Sequence, residues 1–288
     1  MKSQRCHTTI LLLWALFDVV DSFALIGFLS KAKPAVKASS SNNKPKSPGI
    51  QRIQLEDELI QTIQNNNARL DNSDEISSLI TRIESSGWSI PQPAIAPQVI
   101  GKWRLLYTNN ADTASPIQRK AVDASAFNIY QDIVLQEVKA NENSKDGKDG
   151  KDGLMRQQLV ISQIVKFGLG TQLSVDALAS SSKYPLPELT ERKGTGKVLG
   201  LNILGVSKVG EEAKEDPNRP NSRIDFVFDE GNFDVFNAFK VPYPVPFRLP
   251  ILRDTVKGWI DITYLSDRLR ISKGNKGTTF VLIKEDEE

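Results

Sequence analysis

From Arg223 to Lys284 the chain alternates apolar and polar side chains through four successive runs. Such a period of two sends one set of side chains inward and the other to water, which is the pattern of a half-buried strand. Arg223–Asp229 keeps the pattern with Val227 as its one exception, and Gly258–Tyr264 repeats it with Ile260, Ile262 and Tyr264 on one face. Asp267–Ser272 then meets Thr278–Ile283 across Lys273-Gly274-Asn275-Lys276-Gly277. That link is rich in residues that tolerate positive φ, so it reads as a hairpin turn. An antiparallel sheet of this kind needs the rest of the chain to close it.

Upstream, the sequence supplies more strands. Gly101–Thr108 is a first strand; Ala126–Val138 is a long one with Phe127, Ile129, Ile133 and Leu135 on one face, and Leu154–Lys166 is its partner. Between the two lies a Lys-Asp-Gly triplet repeat ending at Gly153, with no apolar residue to bury, so residues 141–153 read as a disordered hairpin insertion. Thr171–Ala177 alternates again, and Glu191–Val209 carries glycines at 194, 196, 200 and 205 that would let a bent barrel strand coil. Gly194-Thr195-Gly196-Lys197 lacks the spacing of a nucleotide loop and no helical pattern follows it.

Helix comes earlier. Leu55, Leu59, Ile60 and Ile63 make one apolar stripe, and Ile76, Leu79, Ile80 and Ile83 make a second. The stripes are narrow and the polar faces are not basic, so the pair is expected to pack against the sheet. A proline-rich connector (Pro91, Pro93, Pro97) follows. Residues 1–22 have the basic start and short apolar run of a signal peptide, a run too short to span a bilayer, where about 20 apolar residues are needed. Residues 23–48 are basic, Ser-rich and free of Asp and Glu, which is transit-peptide composition. The expected domains are therefore this two-part leader, helices over 49–90 and an antiparallel barrel over 91–288.

Removing that leader changes what chemistry is available. It carries seven of the 37 basic and two of the 35 acidic side chains, so the remainder has net charge −3 and no electrostatic case for nucleic acid. The single Cys6 and the single His7 also lie in it. The rest of the chain thus has no thiolate nucleophile, no His base and no His or Cys metal ligand, which excludes His-based triads and zinc hydrolases. No metal or cofactor is expected, and a non-enzymatic binding or structural protein is favoured. Aromatic residues concentrate in Phe233, Phe236 and Phe239 and in Val241-Pro242-Tyr243-Pro244-Val245-Pro246-Phe247. Prolines at alternate positions stiffen that segment, which serves as a rim loop, as an apolar lip round an opening, or as both.

Two separated motifs, Gly101-Lys102-Trp103-Arg104-Leu105-Leu106-Tyr107-Thr108 and the run from Pro244 through Gly258-Trp259-Ile260-Asp261 to Phe280-Val281-Leu282, resemble the plastid lipid-associated proteins, also called fibrillins. The resemblance covers about residues 51–284; the Lys-Asp-Gly insertion departs from it. It implies a lipocalin-like antiparallel β-barrel able to hold an apolar ligand. Gly101 and Trp103 would close the barrel base, and Arg270 or Arg268, with Arg270 favoured, would stack on Trp103 at about 0.5–2 kcal/mol. It also implies a plastid address reached through the bipartite leader, in plastoglobule, thylakoid or stroma. The implied partners are an apolar lipid (fatty acid, prenylquinone or carotenoid), a lipid-body or thylakoid surface, and an enzyme of quinone or carotenoid metabolism.

On this reading Leu105, Tyr107, Phe226, Phe228, Ile260, Ile262, Tyr264 and Phe280 line the barrel, and Phe236, Phe239, Tyr243 and Phe247 form a rim or lipid contact. Two alternatives stand beside it. One is a structural lipid-body coat whose barrel is filled by its own side chains. The other is a carboxylate-based lipid isomerase or cyclase, which would need Asp225, Asp261 or Asp267 inside, although Asp225 and Asp261 sit opposite the Phe and Ile stripes.

Overall fold

The computed structural model describes residues 48–65, 74–109, 127–139, 155–186, 197–198, 201–202, 216–242, 257–274 and 277–286. All lie in one compact unit, Ser47–Glu288. The two-part leader, the Lys-Asp-Gly insertion, Tyr243 and Phe247 fall outside the described residues.

Two helices come first, α1 (Pro48–Asn65) and α2 (Asp74–Glu84), and Gly87 at φ +72° follows the second. A 3-10 turn over Pro97–Val99 leads into the strands β1 (Gly101–Thr108), β2 (Asn128–Lys139), β3 (Met155–Gly168) and β4 (Thr171–Ser180). After the two-residue strands β5 (Lys197–Val198) and β6 (Leu201–Asn202) come β7 (Arg223–Val235) and β8 (Phe239–Pro242). The last three are β9 (Lys257–Leu265), β10 (Leu269–Gly274) and β11 (Thr279–Lys284).

Nine strands form one antiparallel sheet in the order β4-β3-β2-β1-β11-β10-β9-β7-β8. β4 also pairs with β7, from Gln172 opposite Asp234 to Ser180 opposite Asp225, so eight of the strands close into a ring. The first half of β7 pairs with β9, and its second half carries β8 as a hairpin extension. Among the described residues β5 and β6 pair with each other and stand outside that sheet. This corrects the expectation of a barrel strand within 191–209: β4 bonds directly to β7, so the ring has no gap for another strand there.

Alternation decides which side chains face inward. In β4 the residues Leu173, Val175, Ala177 and Ala179 are buried and those between them are not. Register carries the same face to Val165, Gln163, Ile161 and Leu159 of β3, and on to Ile129, Gln131, Ile133 and Leu135 of β2. One buried cluster draws Trp103, Ile133, Leu159, Ala179, Ile224, Ile262, Leu265 and Leu282 from seven strands round the ring, which places them in its interior.

β10 and the adjoining parts of β1, β9 and β11 are buried on both faces. Their outer side chains, Leu106, Tyr107, Tyr264, Leu269, Ile271 and Val281, form a second cluster with Leu59, Ile60, Ile63, Ile76, Leu79, Ile80 and Ile83 of the helices. The helices therefore cover the outside of the ring. The tie is also polar: the Tyr264 hydroxyl donates to Glu56 Oε1 at 2.7 Å, Arg268 Nε donates to Glu56 Oε2 at 2.7 Å, and Arg268 Nη2 pairs with Asp57.

Two β-bulges set these faces. Along β1 the register steps from Leu105 opposite Leu282 to Tyr107 opposite Val281, leaving Leu106 as an extra residue. Along β9 it steps from Ile262 opposite Ser272 to Tyr264 opposite Ile271, leaving Thr263 extra. One inserted residue reverses the facing of everything after it. Tyr107 and Tyr264, expected to line the interior, thus face outward into the helix-covered cluster, where Tyr107 is 1% and Tyr264 0% exposed.

Candidate functional site

The base of the ring is sealed. Trp103 is fully buried, and its indole N–H donates to the Val99 carbonyl at 2.9 Å, so the 3-10 turn holds the ring plane from below. The connector is pinned to the same end: Ile90 N–H donates to Leu265 O and Ala94 N–H to Asn221 O, each at 2.8 Å. Gly101 takes φ +123°, a backbone conformation that side chains rarely adopt, and a Cβ there would come within 3.0 Å of the Lys284 side chain.

Two cations stand over Trp103. The Arg270 guanidinium carbon is 4.9 Å from a Trp103 ring centroid, and Lys284 Nζ is 5.3 Å from one while donating to Gln98 O at 2.9 Å. The side of the strand decides between the two candidate arginines: Arg270 pairs with inward Leu282, whereas Arg268 turns out to Glu56 and Asp57. Arg270 is completely buried, and Nη2 donates across the interior to Gln131 Oε1. Among the described residues its Nε and Nη1 have no hydrogen-bond partner, nor has the buried Ser272 Oγ on the same inward face of β10. Burial without a counter-charge pushes Arg270 down to about 9, which still leaves it charged at neutral pH.

Above this level the interior is aromatic and less covered. Phe226 and Phe228 pack edge to face at 5.2 Å, and Phe280 follows on β11. All three face inward yet remain only half-buried, as does Ile129, whereas Trp103, Ile133, Leu159, Ala179, Ile224 and Leu265 at the base are 0% exposed. Phe226 lies across Gly258, where a Cβ would come within 2.6 Å of its ring. Phe127, Phe167 and Phe233 stack at the upper edge with centroids 5.1 and 5.9 Å apart. Of the expected lining residues, the structure brings Leu105, Phe226, Phe228, Ile260, Ile262 and Phe280 together inside the ring.

The same upper end carries exposed apolar side chains. Phe236 is 56%, Phe239 70% and Leu169 75% exposed, with Val241 beside them on β8. The β3–β4 turn and the β7–β8 turn are joined, since Asn237 N–H donates to Gly170 O at 2.8 Å and Phe236 N–H to Thr171 Oγ1 at 3.3 Å. Leu169 stands at φ +49°, an uncommon conformation for a branched apolar residue in water. Sequence reasoning missed it because one Leu between two glycines carries no periodicity. It also missed Gln131 and Gln163, polar residues at inward positions among Ile129, Ile133, Ile161 and Val165, where the break in the stripe is the signal. Asp225 and Asp261 face outward, the latter paired with Arg219, and Asp267 is exposed in a turn.

A family model described as PAP_fibrillin matches residues 53–147 and 213–283. The chain belongs to the PAP_fibrillin family. The matched parts contain Trp103 and Arg270, both helices except for the first turn of α1, and every ring strand except β3 and β4. Among relatives of this PAP_fibrillin chain, probable plastid-lipid-associated protein 12, chloroplastic, of Arabidopsis thaliana is 37% identical over 201 residues. That alignment takes in 68% of the chain and 35% of the relative, so the chain spans about a third of that protein's length. Light-induced protein, chloroplastic, of Solanum tuberosum is 26% identical over 273 residues, 89% of the chain and 74% of the relative. Chromoplast-specific carotenoid-associated protein of Cucumis sativus is 26% identical over 227 residues, 73% and 60%. No solved structure matches the chain significantly.

Proposed function

We propose that this chain is a non-enzymatic lipid-binding protein of plastids whose eight-stranded ring is a lipocalin-like barrel holding one apolar ligand, at a lipid body or thylakoid surface. One observation carries the reading. Phe226, Phe228 and Phe280 face into a closed ring and are still only half-buried, above a base where side chains are fully buried. A ring filled by its own residues would bury its inward aromatics as completely as Trp103. Each such ring buries about 150–250 Å² when covered, so accessible inward aromatics are apolar surface waiting for a partner. Eight strands leave an interior just large enough for side chains or one small ligand. The plastid setting is supported by the chloroplastic and chromoplastic names of the relatives. Fatty acids, prenylquinones and carotenoids all suit the aromatic walls.

A second reading, a lipid-surface coat, is compatible with the first and rests on the exposed Leu169, Phe236, Phe239 and Val241. Gathered at one end, they would sit on lipid with the ring opening against it. Native mass spectrometry of the full chain purified from a plastid-bearing host, followed by organic extraction, tests both. A stoichiometric lipid released on denaturation is the expected result. An empty protein that still floats with lipid droplets would leave the coat alone standing.

A further inference from the structure

Arg270 is a buried cation inside the ring, and among the described residues no opposite charge bonds to it. A buried guanidinium ordinarily meets a carboxylate, because taking an ion out of water costs several kcal/mol that only an opposite charge offsets. Here its polar contact is one neutral amide, Gln131, and its other contact is the face of Trp103. Among the described residues no carboxylate bonds to it, and Nε and Nη1 donate to nothing. Ordered water can satisfy an N–H but cannot neutralise the charge. Two residues along β10, about 7 Å away by strand geometry, the buried Ser272 Oγ is also without a partner. The two groups share the inward face that carries Phe280 and Leu282 on the next strand.

We infer that Arg270 anchors the carboxylate of a monocarboxylic lipid, with Ser272 Oγ as a second donor and the hydrocarbon tail lying along Phe226, Phe228 and Phe280. The inference rests on the lipid-binding reading and narrows it from apolar lipids in general to acids. A guanidinium donates two parallel hydrogen bonds to a carboxylate, and either unpartnered nitrogen, Nε or Nη1, completes such a fork with the second hydrogen of Nη2, whose first goes to Gln131. One carboxylate is enough to discharge Arg270. A phosphate monoester, near −2, would need Lys284 as a second cation, and the Lys284 Nζ is engaged by the Gln98 carbonyl. A prenylquinone or a carotene has no group that would discharge Arg270.

The test uses the full chain after delipidation, with binding followed by displacement of a fluorescent lipid. Palmitic acid, cetyl alcohol, methyl palmitate and cetyl phosphate share one tail and differ in the headgroup. The acid is expected to bind roughly ten- to a hundred-fold tighter than the alcohol or ester, the value of a charge-assisted pair, and tighter than the phosphate. In Arg270→Met the acid should fall to the affinity of the alcohol while the alcohol holds or improves. Ser272→Ala, which leaves the guanidinium and its stack on Trp103 in place, should lower the acid preference severalfold. Equal binding of acid and alcohol by the unmodified chain overturns the inference without any variant that must fold. An acid preference that survives Arg270→Met, or a tighter alkyl phosphate, also overturns it. Failure of all four lipids to bind would instead overturn the lipid-binding reading itself.

Discussion

Truncating Arg268 to alanine strips the charge partner from Glu56, and the structure allows the cost to be worked out. Glu56 is 1% exposed and its two oxygens accept from the Tyr264 hydroxyl and from Arg268 Nε, each at 2.7 Å. Breaking a buried pair from one side costs about 3–5 kcal/mol, because the remaining charge stays buried. The Arg268 side chain is 39% exposed, so solvent screens part of that attraction, and its second pair, with Asp57, is at the surface. The discounted expectation is about 2–3 kcal/mol, or roughly 5–10 °C in Tm for a domain of this size. Glu56→Gln keeps a hydrogen-bonding amide in place and should cost less, about 1 kcal/mol. The double variant should lose less than the sum of the singles, since with the carboxylate gone the arginine has little left to neutralise. Urea unfolding of the four proteins completes the cycle. Arg268→Ala within about 0.5 kcal/mol of the parent, or additive losses, would refute the claim that this pair holds the helices to the ring.

Three further outcomes are expected. Burial, and then the bond to Glu56, raise the Tyr264 phenol above its ordinary value of 10.0, so above that pH the unfolded chain releases the proton first and stability falls as pH rises; Tyr264→Phe should flatten that fall in unfolding measurements between pH 9 and pH 11, about one unit either side of the ordinary phenol value. Gly258→Ala places a methyl group within 2.6 Å of the Phe226 ring, which is already packed against Phe228, and should cost about 1–3 kcal/mol in urea unfolding while displacing an aromatic from the lining. Phe239→Ser with Leu169→Ser removes exposed apolar area and should reduce flotation with lipid vesicles while leaving Tm within about 2 °C of the parent.

Much of this architecture was legible in the alternation of side chains. β1 begins and ends where the sequence places it, the β2–β3 hairpin pairs Ile133 with Ile161 as its stripes require, and β10 meets β11 across the glycine-rich turn. The failures share a cause. In Ile260-Asp261-Ile262-Thr263-Tyr264 the alternation runs on unbroken, so nothing local announces the extra residue at Thr263 that turns Tyr264 outward. Leu106 hides its bulge in the same way, because Leu105, Leu106 and Tyr107 are all apolar and either facing looks acceptable. The β4–β7 closure joins segments more than forty residues apart, and periodicity says nothing about which strand completes a ring. Glu56 was readable: with Leu59, Ile60 and Ile63 it falls at i, i+3, i+4 and i+7, and a carboxylate in an apolar stripe implies a buried partner. The lining set was read from one face of each strand, so it kept Phe226, Phe228 and Ile260 and misplaced the two tyrosines beyond the bulges.

The helices that cover the back of the ring touch residues more than two hundred positions further along the chain, as Glu56 does with Tyr264 and Arg268. The two helices therefore find only the end of β1 to rest on, through Leu106 and Tyr107, until the last three strands exist. Contacts of such long sequence separation slow folding, and until they form the outer faces of β9, β10 and β11 are bare rows of Tyr264, Leu269, Ile271 and Val281. A chain cut short at its C-terminus and one lacking α1 should thus fail alike: each would leave one half of the same apolar seam exposed, and each would be prone to aggregate.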